Sequence, residues 1–158
     1  MKSQSGDELL DDTDLRILRL LQRDGDFTNR ALAEQLGLAE STCAHRVRML
    51  RARGVIRGSQ VRVNEAALGF PIQALIRVRL GSHSASRVRN LFDALCAIPS
   101  ALRVFHVAGV DDFLVHVAVR DPEALRDVVL EHITVHPVVR ATETQLLFEV
   151  RDGQGPLI

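Results

Sequence analysis

Apolar positions recur every three or four residues along the first part of the chain and every second residue soon after residue 70, so the period itself divides the molecule. In TDLRILRLLQRDG, Ile17, Leu18 and Leu21 share one stripe. Asp11, with Asp14 three residues on, makes a near capping box ahead of it, and Gly25 is the expected stop. A second helix is predicted with Thr28 as N-cap, Leu32, Ala33 and Leu36 facing inward, and Gly37 at its end. A third runs from about Ser41 to Arg53 and closes at Gly54. VIRGSQVRVN then reads as extended chain with a turn at Gly58-Ser59, and residues 64–71, NEAALGFP, as a junction.

From Pro71 the pattern becomes strand, helix, strand, twice over. Ile72, Ala74, Ile76, Val78 and Leu80 alternate with Gln73, Arg77 and Arg79, as in a half-buried strand. Val88, Leu91, Phe92 and Leu95 have helical spacing. LRVFHVA and FLVHVAVR are strands joined by a turn over Gly109 to Asp112. Asp121-Pro122 opens a second helix as N-cap and first-turn proline, and VVRATETQLLFEV is a last strand. That order is the split βαβ, or ferredoxin-like, arrangement. The fold class expected is therefore α+β. It comprises a flexible tail (1–8), a helix-turn-helix domain (9–54), a β-ribbon linker (55–70), a ferredoxin-like βαββαβ domain (71–151), and a C-terminal tail (152–158). FLVHVAV is apolar on nearly both faces, whereas such a sheet covers only one face with its own helices. The bare face calls for a second copy, so at least a homodimer is expected.

Composition removes several classes. With 46% apolar and 25% charged residues the chain can build a core and is not generally disordered. Cys43 and Cys96 are too far apart for a disulfide framework or zinc cluster and suit a reducing compartment. The N-terminus lacks a signal-peptide core and no apolar run is long enough to span a bilayer, so a soluble cytoplasmic protein without membrane contact is expected.

Charge sharpens the picture. Basic and acidic residues balance at 20 each, yet residues 41–62 hold six arginines and no acid. On a helical wheel Cys43, Val47 and Leu50 form a narrow inward stripe. Ser41, Ala44, His45 and Arg48 lie opposite, and Arg46 and Arg53 flank the stripe on one side with Arg51 on the other. Short polar side chains between cationic rims suit a helix in the major groove of double-stranded DNA, with base edges read at the centre and phosphates bonded at the walls. Ser41, His45 and Arg48 are the expected base readers, and Arg46, Arg51, Arg53 and Arg57 the expected phosphate ligands. Thr42 and Ala44 complete the contact surface. An isolated basic helix is more often just a solvated face. The short Leu36-Gly37-Leu38 link to the preceding helix is the helix-turn-helix connection, and it tips the balance toward DNA.

LDDTDLRILRLL, LAEQLGLAESTCAHRVRMLRARGVIRG and VAGVDDFLVHVAVRD together resemble the Lrp/AsnC family of transcription regulators, over roughly residues 9–151. The resemblance implies a DNA-binding N-terminal domain joined to an effector and oligomerisation domain, often assembled as dimers of dimers, and an amino acid-type effector without a cofactor. Gly109 and Asp112 match the family's Gly-x-x-Asp loop. Asp111 replaces a frequent aromatic residue, and Thr142 and Thr144 match a threonine-containing segment of the last strand. Ala39 stands where the family usually has serine, so Ser41 or Thr42 is expected to take over the cap. Ser59 stands where an aromatic residue is common.

The turn containing Gly109, Val110, Asp111 and Asp112 can present N–H groups to a carboxylate and a carboxylate to an ammonium, the two ends of a free amino acid. Asp and Gly are also ordinary turn formers. His83, His106, His116, His132 and His136 invite a metal, but Pro137 biases His136 out of the helix and breaks the i, i+4 pairing with His132, so no metal site is expected. No nucleophile elbow, phosphate loop or CxxC appears, and no enzyme is expected. The function expected is a sequence-specific, homo-oligomeric transcription regulator responding to a small amino acid-like ligand. Two rivals stand beside it: an architectural protein that wraps DNA with low sequence specificity, and a metabolic enzyme or sensor using the helices for docking.

Overall fold

The computed structural model describes residues 10–81, 84–153 and 155. The tail at 1–8, most of the tail at 152–158, and His83 lie outside them. The chain divides into two compact units, the described parts of Met1–Arg62 with Asp152–Ile158, and Val63–Arg151.

The first unit holds α1 (Asp12–Arg23), α2 (Asn29–Leu36) and α3 (Glu40–Ala52). Local chemistry sets most of the boundaries. The Asp11 carboxylate accepts the Asp14 N–H at 2.7 Å, and the Thr28 hydroxyl accepts the Ala31 N–H at 3.1 Å. Gly37, at φ 68° and ψ 35°, adopts the left-handed conformation that a side chain disfavours, and so turns the chain from α2 into α3. At the far end the Val55 N–H returns to the Leu50 carbonyl and closes α3. Ile17, Leu18, Leu32, Ala33, Cys43, Val47 and Leu50 form the core. Leu21 and Leu36 pack at its margin.

Two expectations for this region are corrected. The cap of α3 passes neither to Ser41 nor to Thr42: the helix begins at Glu40 with Ala39 as N-cap, and no side chain bonds its first amides. Residues 55–64 contain no strand and no turn at Gly58-Ser59, so the expected β-ribbon is absent. Alternation alone is not enough for a strand, which needs a neighbour to complete its ladder. In this single chain Val61 stays 90% exposed.

In the second unit, Glu65–Gly69 form a helical turn capped by Asn64, whose side chain accepts the Ala67 N–H. Then come β1 (Ile72–Leu80), α4 (Ala85–Cys96), β2 (Ala101–His106), β3 (Phe113–Val119), α5 (Pro122–Asp127) and β4 (Val139–Leu147). The strands pair antiparallel in the order β2-β3-β1-β4, as the ferredoxin-like reading requires. Asp121 caps α5 through the Ala124 N–H. Beyond α5 the coil widens into a π-helical stretch, Val128–Ile133. Bonding five residues back, as from Thr134 N–H to Val129, lets Val128 and Ile133 both face the core.

Ala74, Ile76 and Val78 of β1 and Phe113, Val115 and Val117 of β3 are buried beneath the helices. On the other face the register sets Arg77 beside Leu114 and Glu143, and Leu75 beside His116 and Gln145. Among the described residues α4, α5 and the π-helical stretch send their core side chains to the first face and leave this one open.

Candidate nucleic-acid interface and ligand loop

Of the residues expected to touch DNA, Ser41, Thr42, His45, Arg48, Arg51, Arg53 and Arg57 are exposed and Ala44 is half-buried. Cys43, Val47 and Leu50 are buried on the opposite side, so α3 is oriented as its amphipathic pattern requires. Arg48, Arg51 and Arg57 have no hydrogen-bond or ion-pair partner among the described residues. Met49 is exposed beside them and was missed in the sequence. Its signal was position: it is the one large apolar residue of the helix lying off the Cys43/Val47/Leu50 stripe.

Arg46 meets a different geometry from the phosphate wall expected of it. Its Nη1 lies 2.6 Å from Asp11 Oδ2 and 2.9 Å from Asp14 Oδ1. The Asp14 side chain is only 12% exposed and that of Arg46 31%. The cap hydrogen bond from Asp14 N–H, and then the Arg46 guanidinium, hold the Asp11 carboxyl below its ordinary value; the carboxylates in turn raise Arg46. An open groove of about 500 Å³ is lined by these three residues together with Thr42, His45, Met49, Leu50 and Arg53.

The second candidate site is the β2–β3 loop. Val107 N–H bonds the Asp112 carbonyl, Asp112 N–H bonds the Val78 carbonyl, and the Asp112 carboxylate accepts the Leu80 N–H at 2.8 Å. The loop is thereby fastened to the end of β1. Gly109, at φ 137°, makes the bend, and Val110 is 75% exposed at its tip.

Asp111 turns to the open face of the sheet. It accepts Arg77 Nε at 2.7 Å and Arg79 Nε at 2.8 Å, and Glu143 of β4 lies 3.2 Å from Arg77 Nη1. The Asp111 side chain is 10% exposed, and the hydrogen bond from Arg79, followed by that from Arg77, draws its carboxyl below the ordinary range despite desolvation. Thr142 and Thr144 stand opposite Val78 and Ile76, which puts them on the other face of the sheet. The six expected effector residues therefore do not form one cluster. Asp112 lines a cavity of about 570 Å³ with Ala85, Val88, Arg89, Phe92 and His106, residues that the loop pattern did not suggest. Phe113 stacks on His106 at 4.7 Å and on Phe92 at 5.7 Å, forming an aromatic wall behind it.

Among the described residues no group of three or more His, Cys, Asp or Glu side chains is placed to hold a metal ion, and no helix is long and apolar enough to cross a membrane.

Comparison with known proteins agrees with this two-part architecture. Residues 10–57 match the family model for winged helix-turn-helix DNA-binding, and residues 73–154 the model for the Lrp/AsnC ligand binding domain. This chain belongs to the Lrp/AsnC family. Among its Lrp/AsnC relatives, the HTH-type transcriptional regulator AldR of Mycolicibacterium smegmatis is 43% identical over 94% of this chain and 86% of its own length. The leucine-responsive regulatory protein of Rhizobium meliloti is 34% identical over 91% and 93%. Among solved structures, that of MtbAldR superposes with a TM-score of 0.78 at 40% identity, covering 91% of this chain and 95% of the other. A Neisseria meningitidis transcriptional regulator in complex with L-Met gives a TM-score of 0.86 at 26% identity, covering 94% and 97%. As an Lrp/AsnC protein the chain is a DNA-binding transcriptional regulator with a ligand-binding domain, in a family of regulators and not of enzymes.

Proposed function

We propose that this regulator binds specific DNA sequences as a homo-oligomer and responds to an amino acid-type effector. One observation carries the reading. In a chain whose charges balance, the outward side of α3 and the segment after it expose Arg48, Arg51 and Arg57 without partners among the described residues, beside the short polar Ser41 and His45. Carboxylates elsewhere in the molecule neutralise many of its arginines, so uncommitted cations on one surface suit a polyanion. Arg48 and His45 then reach base edges, Met49 or Ala44 meets a thymine methyl, and Arg51, Arg53 and Arg57 follow the phosphates. Two such helices related by a dimer axis read half-sites about 34 Å apart or a multiple of it.

For the second unit, we read the open sheet face as the homodimer surface and the β2–β3 loop as the effector site. The cavity beside Asp112 has the size of a small-molecule pocket. It offers a carboxylate for an ammonium, Arg89 for a carboxylate, and Val88 and Phe92 for an apolar side chain. That a relative crystallised with L-Met supports an amino acid as its occupant. Asp111, held by two arginines, fixes the loop and leaves ligand contact to Gly109, Val110 and Asp112, while Thr142 and Thr144 lie on β4, with β1 between.

Selection of bound duplexes from a random pool, with and without a panel of amino acids, tests both halves. Enrichment of one motif whose occupancy or half-site spacing changes with one amino acid is expected. Near-uniform affinity with a steep salt dependence points instead to DNA wrapping. Indifference to every amino acid refutes the effector assignment.

A further inference from the structure

We propose that Arg46 is a positioning residue of the DNA-reading helix: it clamps α3 to the start of α1 and thereby sets sequence discrimination without bonding DNA itself. The proposal rests on the reading above that α3 enters the groove. It begins from how α3 is held. Its apolar stripe shares one core with Leu32 and Ala33 of α2 and with Ile17 and Leu18 of α1, while its backbone runs closer to α2 than to α1. Apolar contacts are non-directional, so a directional contact on the α1 side adds what they lack in fixing the roll of α3. Its N-terminus has no side-chain cap to do so.

Arg46 supplies the missing constraint. It lies about 60° around the helix from the buried stripe, on the side toward α1. Its guanidinium touches two carboxylates at once, that of the α1 N-cap, Asp11, and that of Asp14 within the first turn. One nitrogen, Nη1, bonded to two acids at different positions of α1 restricts rotation more than a single contact does. Asp11 is also tied to the backbone of α1 through the Asp14 N–H, so the clamp ends on a capped helix terminus and not on a loose side chain. His45 and Met49, which border the reading surface, line the same groove as the clamp. A shift of Arg46 therefore moves the walls that face DNA.

The two roles open to Arg46 predict opposite responses to removal of its partners. If Arg46 bonds a phosphate, Asp14→Asn removes one of the two carboxylates that compete for the cation and one negative charge, so every duplex binds more tightly. If Arg46 positions α3, the same change loosens the helix. Binding to the duplex enriched from a random pool then falls on the order of tenfold, the worth of one charge-assisted bond, while binding to random duplex holds or rises. Fluorescence anisotropy of the full chain with both duplexes, at several salt concentrations, reads the difference.

Arg46→Gln is expected to cut the enriched-to-random ratio to a similar extent and to leave the slope of log affinity against log salt unchanged. Arg46→Lys, which keeps the charge on a shorter side chain whose nitrogen does not reach the position of Nη1, should recover only part of the ratio. The double variant Arg46→Gln/Asp14→Asn should be no worse than either single one, because both break one unit. An Asp14→Asn protein that binds the enriched duplex more tightly, a salt slope that drops by about one in Arg46→Gln, or additive effects in the double variant overturns the proposal. Circular dichroism melts of each variant confirm that the unit is folded at the assay temperature; Asp11→Asn, whose amide oxygen can still cap α1, replaces Asp14→Asn if that protein is not. Failure to enrich any duplex refutes the DNA-reading assignment itself, a separate outcome from loss of the clamp.

Discussion

Substituting Ala39 by serine should stabilise the DNA-binding unit, and the three helix starts in that unit say by how much. Asp11, Thr28 and Ala39 share an extended backbone, with ψ of 170°, 158° and 143°. In the first two the side-chain oxygen accepts the N–H three residues on, at 2.7 and 3.1 Å. Ala39 is exposed and in the same backbone class, so a hydroxyl there meets the Thr42 N–H without displacing a neighbour. Restoring an oxygen at an alanine cap contributes about 1 kcal/mol. For a cooperative unit of this size that raises the thermal midpoint by roughly 4–8 °C. Far-ultraviolet circular dichroism follows the melt, and Ala39→Val, which brings no oxygen, is the control and should gain nothing. An Ala39→Ser midpoint that stays level or falls, or an equal gain from valine, refutes the reasoning. The first would mean that the Thr42 amide is already satisfied by the Ala39 carbonyl it lies 3.0 Å from.

Further expectations concern the second unit and the response to acid. Phe113 is fully buried and stacks on Phe92 and His106, so Phe113→Ala should cost about 3–5 kcal/mol in urea unfolding; a loss below 1 kcal/mol contradicts the packing described. Burial, then the positive charge of Arg103, lowers the pKa of His116, whose ring bonds the Gln73 side chain. Its stabilisation is complete above the unfolded pKa near 6.5 and declines as pH falls below it, a decline that His116→Gln should abolish and that a profile flat between pH 7 and 5 would disprove. Asp11 and Asp111 are depressed carboxyls, so theirs is present above the ordinary value of 3.8 and lost as pH falls through the lower folded values. Asp111→Asn should speed amide exchange across residues 108–112, since it removes the bridge between Arg77 and Arg79; unchanged exchange there would show that the Asp112 bonds alone hold the loop.

Features fixed within a few residues were legible in the chain. Asp11, Thr28 and Asp121 cap their helices through their own side chains, and the strand order follows from alternation and connection. The inward set of α3 was equally readable, because its spacing and its burial obey one periodicity. What failed depended on partners distant in sequence. Residues 55–64 alternate like a strand, but no strand among the described residues pairs with them. Arg46 looked like its neighbours Arg48 and Arg51 until the fold brought Asp11 and Asp14, more than 30 positions away, against it. Asp111 sits one residue from Asp112 yet reaches the opposite face of the sheet from the threonines assigned with it. The cavity beside Asp112 drew Arg89 and Phe92 from a helix that carried no motif.

The placement of the two thiols has a practical corollary. Cys43 is sealed at the centre of the N-terminal core, where burial pushes its pKa up and outweighs the pull of Arg46, whereas Cys96 lies at the surface of the other unit. A chain with neither tryptophan nor tyrosine gives little fluorescence contrast on unfolding. A thiol reagent supplies the contrast instead, marking Cys96 immediately and Cys43 only as often as the reading unit opens. The pair thus works as a clock carried by the wild-type sequence, and it times the breathing of one unit while the other serves as the zero mark.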